Sequence, residues 1–207
     1  MKTILLKFSL TLFLFHSLSS SGKGIDSLKY SFSFNYYRDL SDTYGGGNLL
    51  SGEFKYSKSW YGASVSYSHF QSQSTFIFKV LVEEINKTVE TPIEEMAIMQ
   101  MGALSCFLRP IQKKWIDIDI LIGFVFGKAQ SSIFKSLDYN YSFIENRFTY
   151  LYRDYQLIKR NHFGYQAGFD VSIFITKKFG LQLNSRMQHL SNGGSFFFAG
   201  SGVCFRF

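Results

Sequence analysis

Ile116-Asp117-Ile118-Asp119-Ile120-Leu121-Ile122-Gly123-Phe124-Val125-Phe126-Gly127 alternates without a break. Ile116, Ile118, Ile120, Ile122, Phe124 and Phe126 form one set; Asp117, Asp119, Leu121, Gly123, Val125 and Gly127 form the other. A period of two places each set on its own face of a β-strand. One face is bulky and apolar, while the other carries two carboxylates and two glycines.

The same pattern extends in both directions. Leu28, Tyr30, Phe32, Phe34 and Tyr36 alternate with Lys29, Ser31, Ser33 and Asn35. Phe54 and Tyr56 alternate with Glu53 and Lys55, and beyond Ser57-Lys58-Ser59 the residues Tyr61, Ala63, Val65 and Tyr67 alternate with Gly62, Ser64, Ser66 and Ser68, which predicts a tight hairpin. Met96 to Leu108 is strand-like but nearly all apolar, so its facing stays open; Pro110 and Lys113-Lys114 are expected to end it. Phe163, Tyr165, Ala167, Phe169, Val171, Ile173 and Ile175 alternate with Gly164, Gln166, Gly168, Asp170 and Ser172. Leu181 to Leu190 puts Gln182, Asn184, Arg186 and Gln188 on one face, and Phe196 to Phe207 completes a count of eight strands.

Eight strands could close around a greasy interior or turn their apolar faces outward. The composition decides between these. The chain has 207 residues with 24 Phe and 13 Tyr, and an eight-stranded barrel has no room inside for so many rings. Gly, Ser, Asn and paired charges fit that interior, leaving the rings to lipid. The expected fold is therefore all-β, a closed antiparallel up-and-down transmembrane β-barrel of eight strands. Connections near 57–60, 110–114 and 176–179 are short, whereas those near 39–47, 70–95 and 128–162 are long. Such alternation fits periplasmic turns at one end and external loops at the other, with both termini periplasmic.

Residues 1–21 read as a signal peptide: Lys2 and Lys7 give positive charge, Ile4 to Phe15 is mostly apolar, and Ser17 to Ser21 is small and polar. Residues 22–207 are then the barrel domain. The net charge of +7 falls to about +5 when Lys2 and Lys7 leave, a mild preference for anionic surfaces and no nucleic-acid signature. Cys106 and Cys204 could pair in an exported protein, but two cysteines do not require it.

Lys29, Glu53, Lys55, Asp117, Asp119, Asp170, Arg186 and Arg206 all fall on the lumen face, where their balance predicts mutual pairing that plugs the barrel; a proton or ion path is the alternative. Between Lys128 and His162, Arg153, Lys159 and Arg160 stand among many rings as candidate contacts to lipid phosphates. Trp60 and Trp115 beside the short turns read as interface anchors. No histidine pair has metal-site spacing, and no cofactor is expected.

The pattern as a whole resembles the small eight-stranded outer-membrane barrels of Gram-negative bacteria. The last strand, Gly202-Val203-Cys204-Phe205-Arg206-Phe207, is similar to the C-terminal signal of that class, which implies that Gly202, Phe205 and Phe207 are read by the barrel-assembly machinery. Locally, Gln188-His189-Leu190-Ser191-Asn192 resembles a segment of the lipid A 3-O-deacylases. That resemblance implies Ser191 as nucleophile and His189 as base on the lipid-facing side, but no Asp or Glu follows Asp170 to serve as the acid. The other reading is an interfacial histidine followed by a Ser-Asn-Gly-Gly turn. Two functions are thus carried forward. The first is a non-enzymatic outer-membrane barrel with a packed lumen, which works through its external parts on lipopolysaccharide, an external ligand or an envelope protein. The alternative is an acyl ester hydrolase acting on lipid A.

Overall fold

The computed structural model describes residues 30–41, 46–82, 87–142, 144, 145 and 147–207. The expected signal peptide and Lys29 lie outside them. Eight antiparallel strands run in chain order: β1 (Tyr30–Asp39), β2 (Gly47–Lys58), β3 (Tyr61–Val82), β4 (Lys87–Gln112), β5 (Ile116–Ser142), β6 (Arg147–Phe174), β7 (Phe179–Leu190) and β8 (Gly194–Arg206). Each pairs with its sequence neighbour, and β8 pairs with β1 to close the barrel.

Alternation sets the faces. Along β1, Tyr30, Phe32, Phe34 and Tyr36 are exposed outward while Ser33, Asn35 and Tyr37 are buried inside. The ambiguous stretch of β4 resolves the same way: Met99, Met101, Ala103, Ser105, Phe107 and Arg109 point into the lumen, and Leu104 and Leu108 point out. An outward belt of Phe, Tyr, Ile and Leu, with the buried charges and most of the buried Ser, Asn and Gln turned inward, is the reverse of a soluble barrel, and it is what a lipid solvent selects.

Closure depends on two glycines of β8. Gly200 and Gly202 sit opposite Tyr37 and Asn35 in the β1/β8 ladder. A Cβ at Gly202 would collide with the Phe34 carbonyl oxygen and the Asn35 side chain, and one at Gly200 with the Tyr36 carbonyl. The seam closes because these positions have no side chain.

Two expectations are corrected. Segments 70–95 and 128–162 are for the most part strand, not loop: β3/β4 remain paired out to Val82↔Lys87, and β5/β6 out to Ser142↔Arg147. Their Phe, Ile, Val and Tyr residues have high strand propensity and find partners beyond the barrel wall. Pro110 does not end β4 either. It lies where the β4/β5 register shifts between Leu108 and Ile111, a bulge that spares the ladder a missing donor, and the strand continues to Gln112.

Beyond the barrel the two hairpins brace each other. The β4/β5 ladder stops at Met96↔Ser132, and the Glu95 carboxylate then accepts the Phe134 amide at 2.9 Å. Phe78 and Phe76 meet Phe134 at ring-centroid distances of 5.3 and 6.3 Å, Tyr155 packs on Phe134 at 6.2 Å, and Arg153 Nη2 donates to Thr91 Oγ1 at 3.2 Å. Ile93, Thr91 and Val80 are buried in this small outer core.

Candidate functional site

The lumen is filled in two storeys. The lower one, on the side of the chain termini, is ionic. Arg206 Nη2 lies 2.7 Å from Asp117, Asp117 is 3.5 Å from Arg109, and Arg109 forks onto Asp119. Lys55 Nζ bridges Asp119 at 2.9 Å and Asp170 at 2.7 Å. Arg186 binds Asp170 with both terminal nitrogens and reaches Glu53 at 3.2 Å. Charges alternate in sign along this chain from Arg206 to Glu53, four cations with four carboxylates, all nearly inaccessible to solvent. Asn184 adds a bond to Asp170 at 2.9 Å.

Seven of the eight charges expected in the lumen are therefore there, and the eighth, Lys29, is outside the described residues. The residue missed is Arg109. It supplies the fourth cation, and the signal for it is parity: it continues the odd-numbered inward set of β4, hidden because that stretch is apolar on both faces. Burying any of these ions alone would be costly; the alternating chain gives every one a counter-charge.

The upper storey is apolar. Tyr37, Leu49, Phe70, Met99, Met101, Val125, Leu190, Phe196 and Phe198 form one contiguous cluster across the lumen. Phe196 and Phe198 stack at 5.6 Å, and Phe70 packs edge-on against both at 5.6 and 5.8 Å. This corrects the expectation that the rings all face lipid. The run Phe196-Phe197-Phe198 cannot place all three outside on a strand, so two enter the lumen. Two cavities in the ionic storey and at its junction with the apolar one are small, about 20 Å³ beside Asp117 and Gln182 and about 10 Å³ beside Glu53 and Arg186. Each has room for about one water molecule.

His189 lies on the outward face of β7, its ring against Tyr165 at 5.2 Å and its Nδ1 2.9 Å from Ser195 Oγ. The expected Ser191 and His189 pair is not formed. Ser191 Oγ instead accepts the Phe163 amide at 3.2 Å, and its carbonyl lies 2.7 Å from His162 Nδ1. Ser191 belongs to the β7/β8 turn, where Gly193 N bonds to Leu190 O at 3.0 Å and Asn192 takes φ 57°. Among the described residues no carboxylate contacts His189, so a catalytic imidazole would lack an orienting acid.

The expected phosphate contacts separate. Arg153 is held inside the outer core by Thr91, whereas Lys159 and Arg160 line an open groove with Lys128. Phe205 and Phe207 face outward at the end of β8, and Gly202 faces the seam. Both cysteines are free: Cys106 is exposed on the outer face and Cys204 is buried in the lumen, on opposite sides of the wall. Among the described residues no cluster of three or more His, Cys, Asp or Glu is arranged for a metal ion.

No protein-family model matches the chain, and no curated protein matches its sequence. Solved structures do. The attachment invasion locus protein Ail of Yersinia pestis, in complex with the heparin analogue sucrose octasulfate, aligns with TM-score 0.50 and 13% identity over 86% of this chain and 96% of that one. The fold is that of the small eight-stranded outer-membrane barrels. Neisserial surface protein A aligns with TM-score 0.48 and 12% identity over 87% of this chain and 98% of that one. A major outer membrane protein from Thermus thermophilus aligns with TM-score 0.48 and 12% identity over 86% and 99%. At these identities the likeness concerns architecture alone.

Proposed function

We propose that this chain is a non-conducting, non-enzymatic barrel of a Gram-negative outer membrane, delivered by its signal peptide and the barrel-assembly machinery, whose work is done by the paired hairpins it raises above the outer surface. Both termini are then periplasmic. The observation that carries this reading is the two-storey lumen: among the described residues an ion chain and an apolar plug fill it, which supports a working surface outside the wall.

The hairpins have the features of an interaction element. The β2/β3 ladder ends at Gly47↔Ser72 and the β6/β7 ladder begins at Gly164↔Leu190, with Ser191 still bonded to Phe163, so among the described residues Gln73 to Val82 of β3 and Arg147 to Asn161 of β6 have one unpaired edge each. An exposed edge can accept an extended strand from another chain, main chain to main chain. Ile77 and Leu81 stand exposed beside one edge, and Tyr150, Tyr152 and Leu157 beside the other. The partner is an external ligand or envelope protein that offers an extended segment.

The test compares the intact barrel with a variant in which 75–94 and 134–155 are each replaced by a short turn, probed on an array of extracellular proteins and peptides. Binding by the intact barrel that is lost in the shortened variant and in Ile77→Pro, with folding retained, supports the reading. Stable single-channel currents or release of acyl chains from lipid A would replace it with a transport or enzymatic one.

A further inference from the structure

On strands β3 to β6 the outward face changes character between two adjacent rungs of the ladder. Tyr67, Gly102, Phe126 and Phe163 are successive register partners; so are His69, Gln100, Lys128 and Asn161, one outward step nearer the hairpins. The next rung is Gln71, Ile98, Gln130 and Lys159. Apolar surface thus gives way to amides and cations within a single step.

An open groove of about 450 Å³ lies at these polar rungs. Lys128, Lys159 and Arg160 line it together with Gln100, Gln130 and Asn161, and among the described residues no carboxylate does. Among the described side chains, other exposed cations of the hairpins are matched: Lys79 with Glu90 at 3.6 Å, Lys135 with Asp154 at 3.3 Å, and Arg147 with Glu145 at 2.6 Å. Lys128, Lys159 and Arg160 have no ion pair among the described residues. Two uncompensated cations on the same outward face, Lys128 and Lys159, with Arg160 of opposite parity at the groove's margin, favour an anion, and the neighbouring amides can bind hydroxyls.

The surface directly below is suited to acyl chains. Phe126 and Phe163 are 58% and 61% exposed, Phe124 stacks on Phe163 at 6.1 Å, and Leu104 stands beside Phe124 in the ladder. From this juxtaposition we infer that the groove binds the phosphorylated headgroup of an outer-leaflet glycolipid, with phosphate on Lys128 and Lys159 of the outward face and its chains along Leu104, Phe124, Phe126 and Phe163. Lys128 is the residue that joins the two halves of the site, since it occupies the first polar rung above Phe126. The inference rests on the membrane orientation proposed above.

The experiment uses the refolded barrel in micelles, titrated with bisphosphorylated lipid A, with the same lipid after removal of its phosphates, and with inorganic phosphate, and read by native mass spectrometry. Bound bisphosphorylated lipid should be displaced neither by the dephosphorylated lipid nor by equimolar inorganic phosphate. Lys128→Gln and Lys159→Gln should each weaken retention about fivefold and together about 25-fold, whereas Lys135→Gln should leave it unchanged. Equal retention of the dephosphorylated lipid, unchanged affinity in the double variant, or displacement by inorganic phosphate would overturn the site. Heat-modifiable gel mobility, read on the same samples, reports the folded barrel separately. If fractionated cells show the wild-type chain outside the outer membrane, the membrane reading falls, and this inference with it.

Discussion

Arg109 holds both carboxylate oxygens of Asp119, with Nε 2.6 Å from Oδ1 and Nη2 3.2 Å from Oδ2. The fork ties the turn end of β4 to β5 and stands mid-chain in the line of alternating charges that runs from Arg206 to Glu53. Planar, paired donation of this kind suits a guanidinium and not an ammonium. The neighbouring cation, Lys55, does the complementary job: its point charge sits between Asp119 and Asp170 on different strands.

Removing one member of this chain should be costly and removing a pair should not. Asp119→Leu or Arg109→Met leaves an unmatched buried charge, and each is expected to lower stability by about 3 to 5 kcal/mol. The double variant keeps the lumen neutral and should recover most of that loss. Urea-induced unfolding in lipid vesicles measures all three; additive losses in the double variant would show that the pair is not acting as a unit.

The apolar storey should behave as a packed core. Phe196→Ala removes a ring that touches both Phe70 and Phe198, and a loss of about 3 to 5 kcal/mol is expected in the same assay. Planar-bilayer recordings of the wild type should show no stable channel steps, because the ionic storey blocks the lumen independently.

Gly202→Val places a branched side chain against the β1 backbone at the seam. The expected outcome is loss of the compact, fast-migrating form in unheated gels. Substituting the outward Val203 by Leu, on the same strand, should leave that form intact.

His189→Ala, Ser191→Ala and Ser195→Ala should all leave the lipid A acylation pattern of expressing cells identical to that with the wild type, as read by mass spectrometry. A wild-type pattern that differs from an empty-vector control and reverts in His189→Ala would overturn this. Asn192→Val should nonetheless destabilise the β7/β8 turn by about 1 to 2 kcal/mol, since φ of 57° opposes a β-branched side chain.

Period-two alternation is enough to read the strand count, the closed barrel and the side of the wall taken by Glu53, Lys55, Asp117, Asp119, Asp170, Arg186 and Arg206, because on a strand the face of a residue follows from its parity alone. Parity says nothing about depth. Parity puts Tyr37, Phe70 and Phe198 on the inward face, but whether they pack there as one apolar plug depends on which rungs the registers bring level and on how much volume the opposite strands leave, as Gly200 leaves for Tyr37. Nor does parity give registers: Lys128 and Lys159 share a groove, and His189 meets Ser195 instead of Ser191, because ladders that join residues far apart in the chain, or a hairpin turn of a particular length, place them side by side. The long hairpins read as loops for the same reason. Their strands pair only with each other, and a segment's own composition does not reveal that its partner strand continues equally far.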